Sequence, residues 1–278
     1  MRTILAETIE KAVAKLSMDA CYFLGEDVYC ALKHSIEREK SPTGRDILGQ
    51  LVQNAEIARE EEVAICQGCG LAVIFAEVGQ DVHIEGDFEQ AVNDGVIMGY
   101  EDGYLRKSTC TPFTRKNYGN NAPAILHVRL VPGDQIKLTL APKGGGSENM
   151  SAMKMFAPAV GRKGVVDFVV GTVRAAGPNP CPPIVVGVGI GGNFEKAPLL
   201  AKQALLREIG SINEDETMAQ LEQELLERIN ALGIGPGGLG GTTTALAVHV
   251  ESAPCHIASL PVAVNLNCHA ARHKTVVL

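Results

Sequence analysis

The sequence predicts a mixed α+β chain, and three observations carry that prediction. Apolar residues recur at helical spacing through the first sixty positions, with charges between them. From Val63 onward, short apolar β-rich runs alternate with further helical stretches. Thirty glycines and fourteen prolines supply the tight turns that many short elements need. The prediction is one domain over 1–278, an N-terminal helical lobe of about 1–62 packed on a mixed α/β lobe of about 63–278 that carries the functional site.

The first helix is read from Leu5, Ile9, Ala12, Val13 and Leu16. A second runs from Glu26 to about Lys40 on Val28, Ala31, Leu32 and Ile36, and Ser41-Pro42-Thr43-Gly44 breaks it. A third follows through Ile47, Leu48, Leu51, Val52 and Ala55 into the solvated run Glu60-Glu61-Glu62. Leu71–Val78 reads as a strand, which leaves Cys66–Gly70 as a loop between two extended pieces. Phe88–Leu105 returns to helical spacing and delivers Arg106 near its end. Ile125–Val131 and Gln135–Ala141 flank Pro132-Gly133-Asp134 and predict a hairpin. Gly161–Ala176 predicts a helix with Val165, Val166, Val169 and Val173 on one face, and Pro183–Ile190 a strand ending in Gly191-Gly192. Helices near Phe194–Glu208 and Thr217–Leu232 come next. After the glycine-rich stretch Gly233–Gly241, Thr242–Val250 and Ser259–Asn265 read as strands.

Composition narrows the function. A net charge of −7 argues against nucleic acid as a partner, since phosphate binding needs clustered Lys and Arg, but leaves room for a small anionic substrate in a local basic pocket. Eight cysteines without dense regular pairing do not suit a secreted disulfide scaffold. The N-terminus Met1-Arg2-Thr3-Ile4-Leu5-Ala6-Glu7 has no signal-peptide core, and no apolar run reaches membrane-spanning length, so a cytoplasmic location without membrane association is expected.

Three cysteines stand where a strand meets a turn: Cys66 in Cys66-Gln67-Gly68-Cys69-Gly70, Cys181 in Asn179-Pro180-Cys181-Pro182-Pro183, and Cys268 in Asn267-Cys268-His269. Thiolates gathered from distant positions can hold soft iron or an iron–sulfur cluster. The reading is a 4Fe–4S cluster on three cysteines with one iron left open for substrate. The competing readings are small buried thiols, and a thiol-redox or zinc site on Cys66-x-x-Cys69, although zinc usually takes four N/S ligands. Lys143–Asn149 holds three glycines in a row that uncover backbone N–H groups for an anion, without the Gly-Lys-Ser/Thr ending of a P-loop. Gly187–Gly192 lacks the spacing of a dinucleotide motif. Arg106 and Arg115 are candidate carboxylate clamps, and His256 a candidate proton-transfer group.

Taken in order, Cys66-Gln67, Arg106-Lys107-Ser108, Lys143–Asn149, Asn179–Pro183, Gly233–Gly238 and the stretch from His256 through Cys268 to Arg272 resemble the alpha subunit, or N-terminal domain, of class I iron–sulfur fumarate hydratases. The iron–sulfur L-tartrate dehydratase alpha subunit is a close relative of that family. The resemblance implies Cys66, Cys181 and Cys268 as cluster ligands, with Gln67, Arg106 and Gly144, Gly145 and Gly146 on the substrate carboxylates. It implies that His256 takes part in proton transfer, and Arg106 and His256 favour the fumarate hydratase branch. It further implies reversible hydration of fumarate to malate or of a related diacid. A beta subunit is implied as partner, with alpha chains dimerising inside a heterotetramer. One departure stands out: the family has Asp after the Cys-Gln pair, where this chain has Gly68, followed by Cys69. Gly68 can neither hydrogen-bond through a side chain nor carry a proton, which leaves open a different relay, a slow fumarase, another hydroxy-diacid as substrate, or a non-catalytic scaffold.

Overall fold

The computed structural model describes residues 2–278; Met1, where the reading of the N-terminus begins, lies outside them. The fold is α+β. In chain order the elements are β1 (Arg2–Leu5), α1 (Ala6–Tyr22), α2 (Glu26–Arg38), α3 (Pro42–Glu61), β2 (Leu71–Gly79), β3 (Val82–Glu85), α4 (Phe88–Asp102), β4 (Ile125–Val131), β5 (Ile136–Lys143), the single turn α5 (Gly145–Glu148), β6 (Ala152–Phe156), α6 (Gly161–Ala176), β7 (Ile184–Gly192), α7 (Lys196–Ala204), α8 (Glu216–Asn230), β8 (Ala245–Cys255), β9 (Leu260–Asn267) and β10 (Lys274–Val277). Contacts divide the chain into two compact units. The first comprises the chain up to Leu24 with Asn54–Gly145 and Arg272–Leu278; the second comprises Gly25–Gln53 and Gly146–Ala271.

In the first unit a four-stranded sheet runs β10-β5-β2-β4. Its core joins Ile9, Val13 and Leu16 of α1, Val92, Val96 and Tyr100 of α4, Ile74 of β2, and Ile136, Leu138 and Leu140 of β5. The expected hairpin is not formed, although both of its strands are. β2 lies between them, parallel to β4 and antiparallel to β5. Burial explains the order: β2 is covered along most of its length and takes the centre, whereas β4 is largely exposed and suits an edge. The Pro132-Gly133-Asp134 turn bonds to the end of β2 instead, with the Gln80 N–H on the Val131 carbonyl and the Asp81 N–H on that of Gly133, both at 2.9 Å. Leu5, read as part of the first helix, ends β1, which pairs in parallel with β3.

In the second unit the sheet order is β6-β9-β7-β8, with β7 parallel to β8 and antiparallel to β9. Val165, Val169 and Val173 of α6 and Leu221, Leu225 and Ile229 of α8 pack with the apolar residues of β7, β8 and β9. On β7, Gly187 and Gly189 let α7 lie directly on the strand: a Cβ there would stand 2.1 Å from the Ala201 carbonyl oxygen and 2.0 Å from that of Ala197. The glycine spacing that fits no dinucleotide motif is thus a packing device. The strand expected from Thr242 starts three residues later, at Ala245. The Glu39 carboxylate takes the N–H groups of Thr242 and Thr243 at 2.8–2.9 Å, and the Asn230 side chain takes that of Thr244, so these donors are spent before the ladder begins. Glu39 itself is buried. Burial raises its carboxyl, but the N–H groups of Ser41, Thr242 and Thr243 outweigh that and hold it at about 2. No helix among the described residues is long and apolar enough to cross a membrane.

Candidate functional site

In the first unit the site is built on the loop Cys66–Gly70, between α3 and β2. Its backbone is held from several sides. The Gly68 N–H donates to Cys66 Sγ at 3.3 Å, and Arg272 Nη2 donates to the Gly68 carbonyl at 2.7 Å. The hydroxyl of Tyr100, on α4, donates to the carbonyls of Cys69 (2.9 Å) and Gly70 (3.2 Å). Asn121 Nδ2 also donates to the Gly70 carbonyl, at 3.1 Å, while Asn121 Oδ1 accepts from the Ser108 N–H at 2.6 Å. Tyr100 and Asn121 are both fully buried. The Arg106 N–H donates to Cys69 Sγ at 3.2 Å, which ties the segment after α4 to the cysteine loop. Gly70 (φ +72°) lies against the end of β5, where a Cβ would come within 2.5 Å of the Lys143 carbonyl carbon. Gly144 follows at once, and a Cβ on it would be 3.9 Å from the Gly68 oxygen. Cys66, Gln67, Arg106 and Gly144 are therefore brought together on this unit, with Gln67 and Arg106 exposed.

Cys69 Sγ lies 3.7 Å from the Cys66 carbonyl oxygen, to which it donates. It is buried beside the thiol of Cys21 on α1, with which it interacts. That interaction, the Arg106 N–H and the Arg272 charge push the Cys69 thiol down despite its burial, and push Cys21 up through the same contact. Arg115 folds back on its own turn, with Nη1 3.4 Å from the Pro112 carbonyl.

In the second unit the antiparallel register of β7 and β9, with Val185 opposite Asn267, sets the start of one strand beside the end of the other. Cys181 precedes β7 and Cys268 follows β9, so the two cysteines become neighbours. The His269 N–H donates to the Cys181 carbonyl at 3.3 Å, and its Nδ1 lies 3.1 Å from the same oxygen. Cys181 is exposed and takes φ +58°, a left-handed conformation that few non-glycine residues adopt. Gly146 reaches the same turn: a Cβ on it would lie 3.5 Å from the Asn179 carbonyl. The glycine run is anchored from behind by Glu148, which accepts from Lys202 Nζ at 2.6 Å and from Asn265 Nδ2 at 3.0 Å. What reads as an open loop in the sequence closes into the turn α5.

His256 stands elsewhere on this unit. It lies in the exposed turn between β8 and β9, where its Nδ1 accepts from the Ala258 N–H at 3.1 Å. Because β8 runs parallel to β7 and ends with Cys255 opposite Gly192, His256 is at the far end of the sheet from Cys181 and Cys268. The length of β7 separates them, roughly 30 Å at about 3.3 Å per residue.

Thiols suit soft iron, and Cys66 on the first unit and Cys181 and Cys268 on the second each stand at a turn without being fully buried. Among the described residues no three His, Cys, Asp or Glu side chains are gathered into a ready metal site. Sequence reading passed over Tyr100, Asn121, Arg272, Lys202, Glu148 and Asn265 as positioning residues. Glu148 stood inside a stretch already singled out, Lys143–Asn149, and Asn265 and Arg272 inside the one from His256 to Arg272; Tyr100, Asn121 and Lys202 stood in none.

The model of the fumarate hydratase (Fumerase) family matches residues 10–277, and the chain belongs to that family. A protein of Methanocaldococcus jannaschii carrying the provisional name L(+)-tartrate dehydratase subunit alpha is 42% identical over 271 residues, 95% of each chain. L(+)-tartrate dehydratase subunit alpha of Escherichia coli is 33% identical over 255 residues, covering 90% of this chain and 84% of the relative. That of Shigella sonnei is 32% identical over 257 residues, covering 91% and 85%.

Proposed function

We propose that the chain is the alpha subunit of an iron–sulfur hydro-lyase. It adds water to, or removes it from, a C4 dicarboxylate: fumarate and malate, or a related hydroxy-diacid such as tartrate. The observation that carries the reading is the pairing of Cys181 with Cys268 through the β7–β9 register and His269. Cys66 is the third ligand in this reading. Its loop is gripped by Arg272, which follows Cys268 by four residues in the chain. When bound, a 4Fe–4S cluster on Cys66, Cys181 and Cys268 supplies an open iron that acts as a Lewis acid toward the substrate hydroxyl.

The chain's own residues then have separate tasks. Arg106 offers a planar fork to one substrate carboxylate, and Gln67 an amide. Gly144, Gly145 and Gly146 present peptide N–H groups to an anion in this reading. His256 handles a proton. Because it lies at the opposite end of its own sheet from Cys181, it does so for a second copy of the chain, consistent with a homodimer of alpha chains. The relatives are named as alpha subunits, which supports a beta subunit completing the site in a heterotetramer. A cytoplasmic location follows from the same reading.

The test is co-expression with a cognate beta subunit, anaerobic reconstitution with iron and sulfide, and assay with malate and with tartrate. Dehydration of either diacid supports the reading and removes the scaffold alternative. A full cluster with no turnover of either overturns it, and stoichiometric zinc without sulfide favours the zinc site instead.

A further inference from the structure

Of the eight cysteines two are buried: Cys21 near the end of α1, 1% exposed, and Cys69 in the cysteine loop, 2% exposed. The fold of the first unit brings them together. α1 and α4 pack at backbone distance, since a Cβ on Gly99 would stand 2.5 Å from the Ala14 carbonyl oxygen. Tyr100, the next residue of α4, holds the Cys69 carbonyl at 2.9 Å. From the loop, the Ile65 N–H donates to the Cys21 carbonyl at 3.0 Å and pins the last turn of α1 to the residue before Cys66. Cys21 and Cys69 belong to the same apolar core, and their thiols interact directly, with the Arg272 charge acting on both. A buried thiol that only fills space needs no polar partners. Cys69 Sγ has two, both in or next to the site: it accepts the Arg106 N–H at 3.2 Å and donates to the Cys66 carbonyl at 3.7 Å.

We propose that Cys21 and Cys69 form an oxidation site, joined as a disulfide by peroxide, that ties the cysteine loop to α1. The inference stands apart from the hydro-lyase reading, since it concerns two thiols which that reading does not use. Two thiols and one peroxide give one disulfide and two waters. One sulfur attacks the peroxide O–O bond, which breaks to leave a sulfenic acid and the first water. The other thiol displaces the sulfenic oxygen, the S–S bond forms, and the oxygen leaves with the remaining protons as the second water. The sulfurs lose two electrons and the O–O bond takes them. Peroxide is the oxidant that fits the burial: a bulky disulfide has no approach to sulfurs 1–2% exposed, because exchange needs access to the attacking thiol. Once oxidised, Cys69 Sγ carries no proton. Its bond to the Cys66 carbonyl is given up, and the covalent tether to α1 takes over the hold on the loop.

The test uses the full chain, reduced and desalted anaerobically. Accessible thiols are alkylated in the folded state, and hydrogen peroxide is then added. The protein is unfolded, remaining thiols take a second, isotopically distinct tag, and linked peptides are assigned by fragment-ion mass spectrometry. A Cys21–Cys69 linkage is expected in most chains, absent without peroxide and lost on reduction with dithiothreitol. The thermal midpoint should rise by roughly 5 °C or more, as for a cross-link that closes a long loop, and fall back on reduction. Cys21→Ala should show neither the linkage nor the rise. Recovery of Cys21 and Cys69 as free thiols overturns the proposal. So does linkage of either to another cysteine, conversion of either to a sulfinic acid without linkage, or a peroxide-dependent rise that persists in Cys21→Ala. Should Cys21→Ala fail to fold, the wild-type peptide map decides alone.

Discussion

Arg272 Nη2 donates to the Gly68 carbonyl at 2.7 Å, so the segment just before the final strand fixes the loop that presents Cys66. Arg272 is also buried, and its charge lowers the Cys69 thiol. Arg272→Ala is expected to destabilise the protein by about 1–3 kcal/mol, the cost of leaving buried polar groups unsatisfied. Arg272→Lys should recover only part of this, since an ammonium does not reproduce the planar fork. Urea unfolding of the three proteins measures both effects. Equal stability of wild type and Arg272→Ala would show that the bond contributes nothing.

Tyr100 makes a complementary anchor from the other side of the loop. Tyr100→Phe removes one hydroxyl and leaves two carbonyls, those of Cys69 and Gly70, without that donor. A loss of about 1–3 kcal/mol is expected. Hydrogen exchange should quicken at Gly68 and Arg106, whose N–H groups bond to the sulfurs of Cys66 and Cys69. Unchanged exchange there would mean that the loop is held without Tyr100.

Gly70 and Gly68 are two positions apart and should respond in opposite ways to the same methyl. Gly70→Ala places a side chain at left-handed φ and against backbone, and should cost about 3 kcal/mol or more or abolish folding. Gly68→Ala should unfold within about 1 kcal/mol of wild type. Thermal unfolding separates them, and similar losses at both positions would contradict the geometry of the loop.

Stability should fall on acidification in two stages. Burial, with the Arg207 charge as a lesser cause, lowers the His249 pKa. The unfolded chain therefore takes up this proton first, and stability present above about pH 6.5 is lost as pH falls below it. Glu39 is depressed from 4.5 to about 2. Its contribution, about 3 kcal/mol, is complete above its unfolded value and is lost as pH falls from about 4.5 towards 2. Glu39→Gln should remove the second stage and leave the first. Persistence of both stages in that variant would contradict the capping role of Glu39 at Thr242 and Thr243.

How much of this was legible in the sequence varies with the kind of signal. Gly161–Ala176 coincides with α6, and α2 and α3 begin and break where Glu26 and Pro42 indicate, because amphipathic period and breakers are local properties. The strands β1, β3, β6 and β10 have four or five residues and one side exposed, and their existence depends on partners far along the chain. The same limit explains the hairpin that does not form, since pairing of β4 and β5 with β2 is a matter of burial across the whole sheet. At the site, the residue types were readable and their neighbours were not. Cys181 and Cys268 meet through strand register, and that register also carries His256 to the other end of the sheet. Tyr100 looks like one more apolar position in a helical period; only the fold shows its hydroxyl on the cysteine loop.

The most direct measurement is the iron and acid-labile sulfide content of the anaerobically reconstituted alpha–beta complex, for wild type and for single Cys→Ala variants at 66, 181, 268 and 69. The account predicts about four irons and four sulfides per alpha chain in wild type. It predicts loss of the cluster in Cys66→Ala, Cys181→Ala and Cys268→Ala, and its retention in Cys69→Ala. A Cys181→Ala complex that keeps the full complement of iron and sulfide would contradict it.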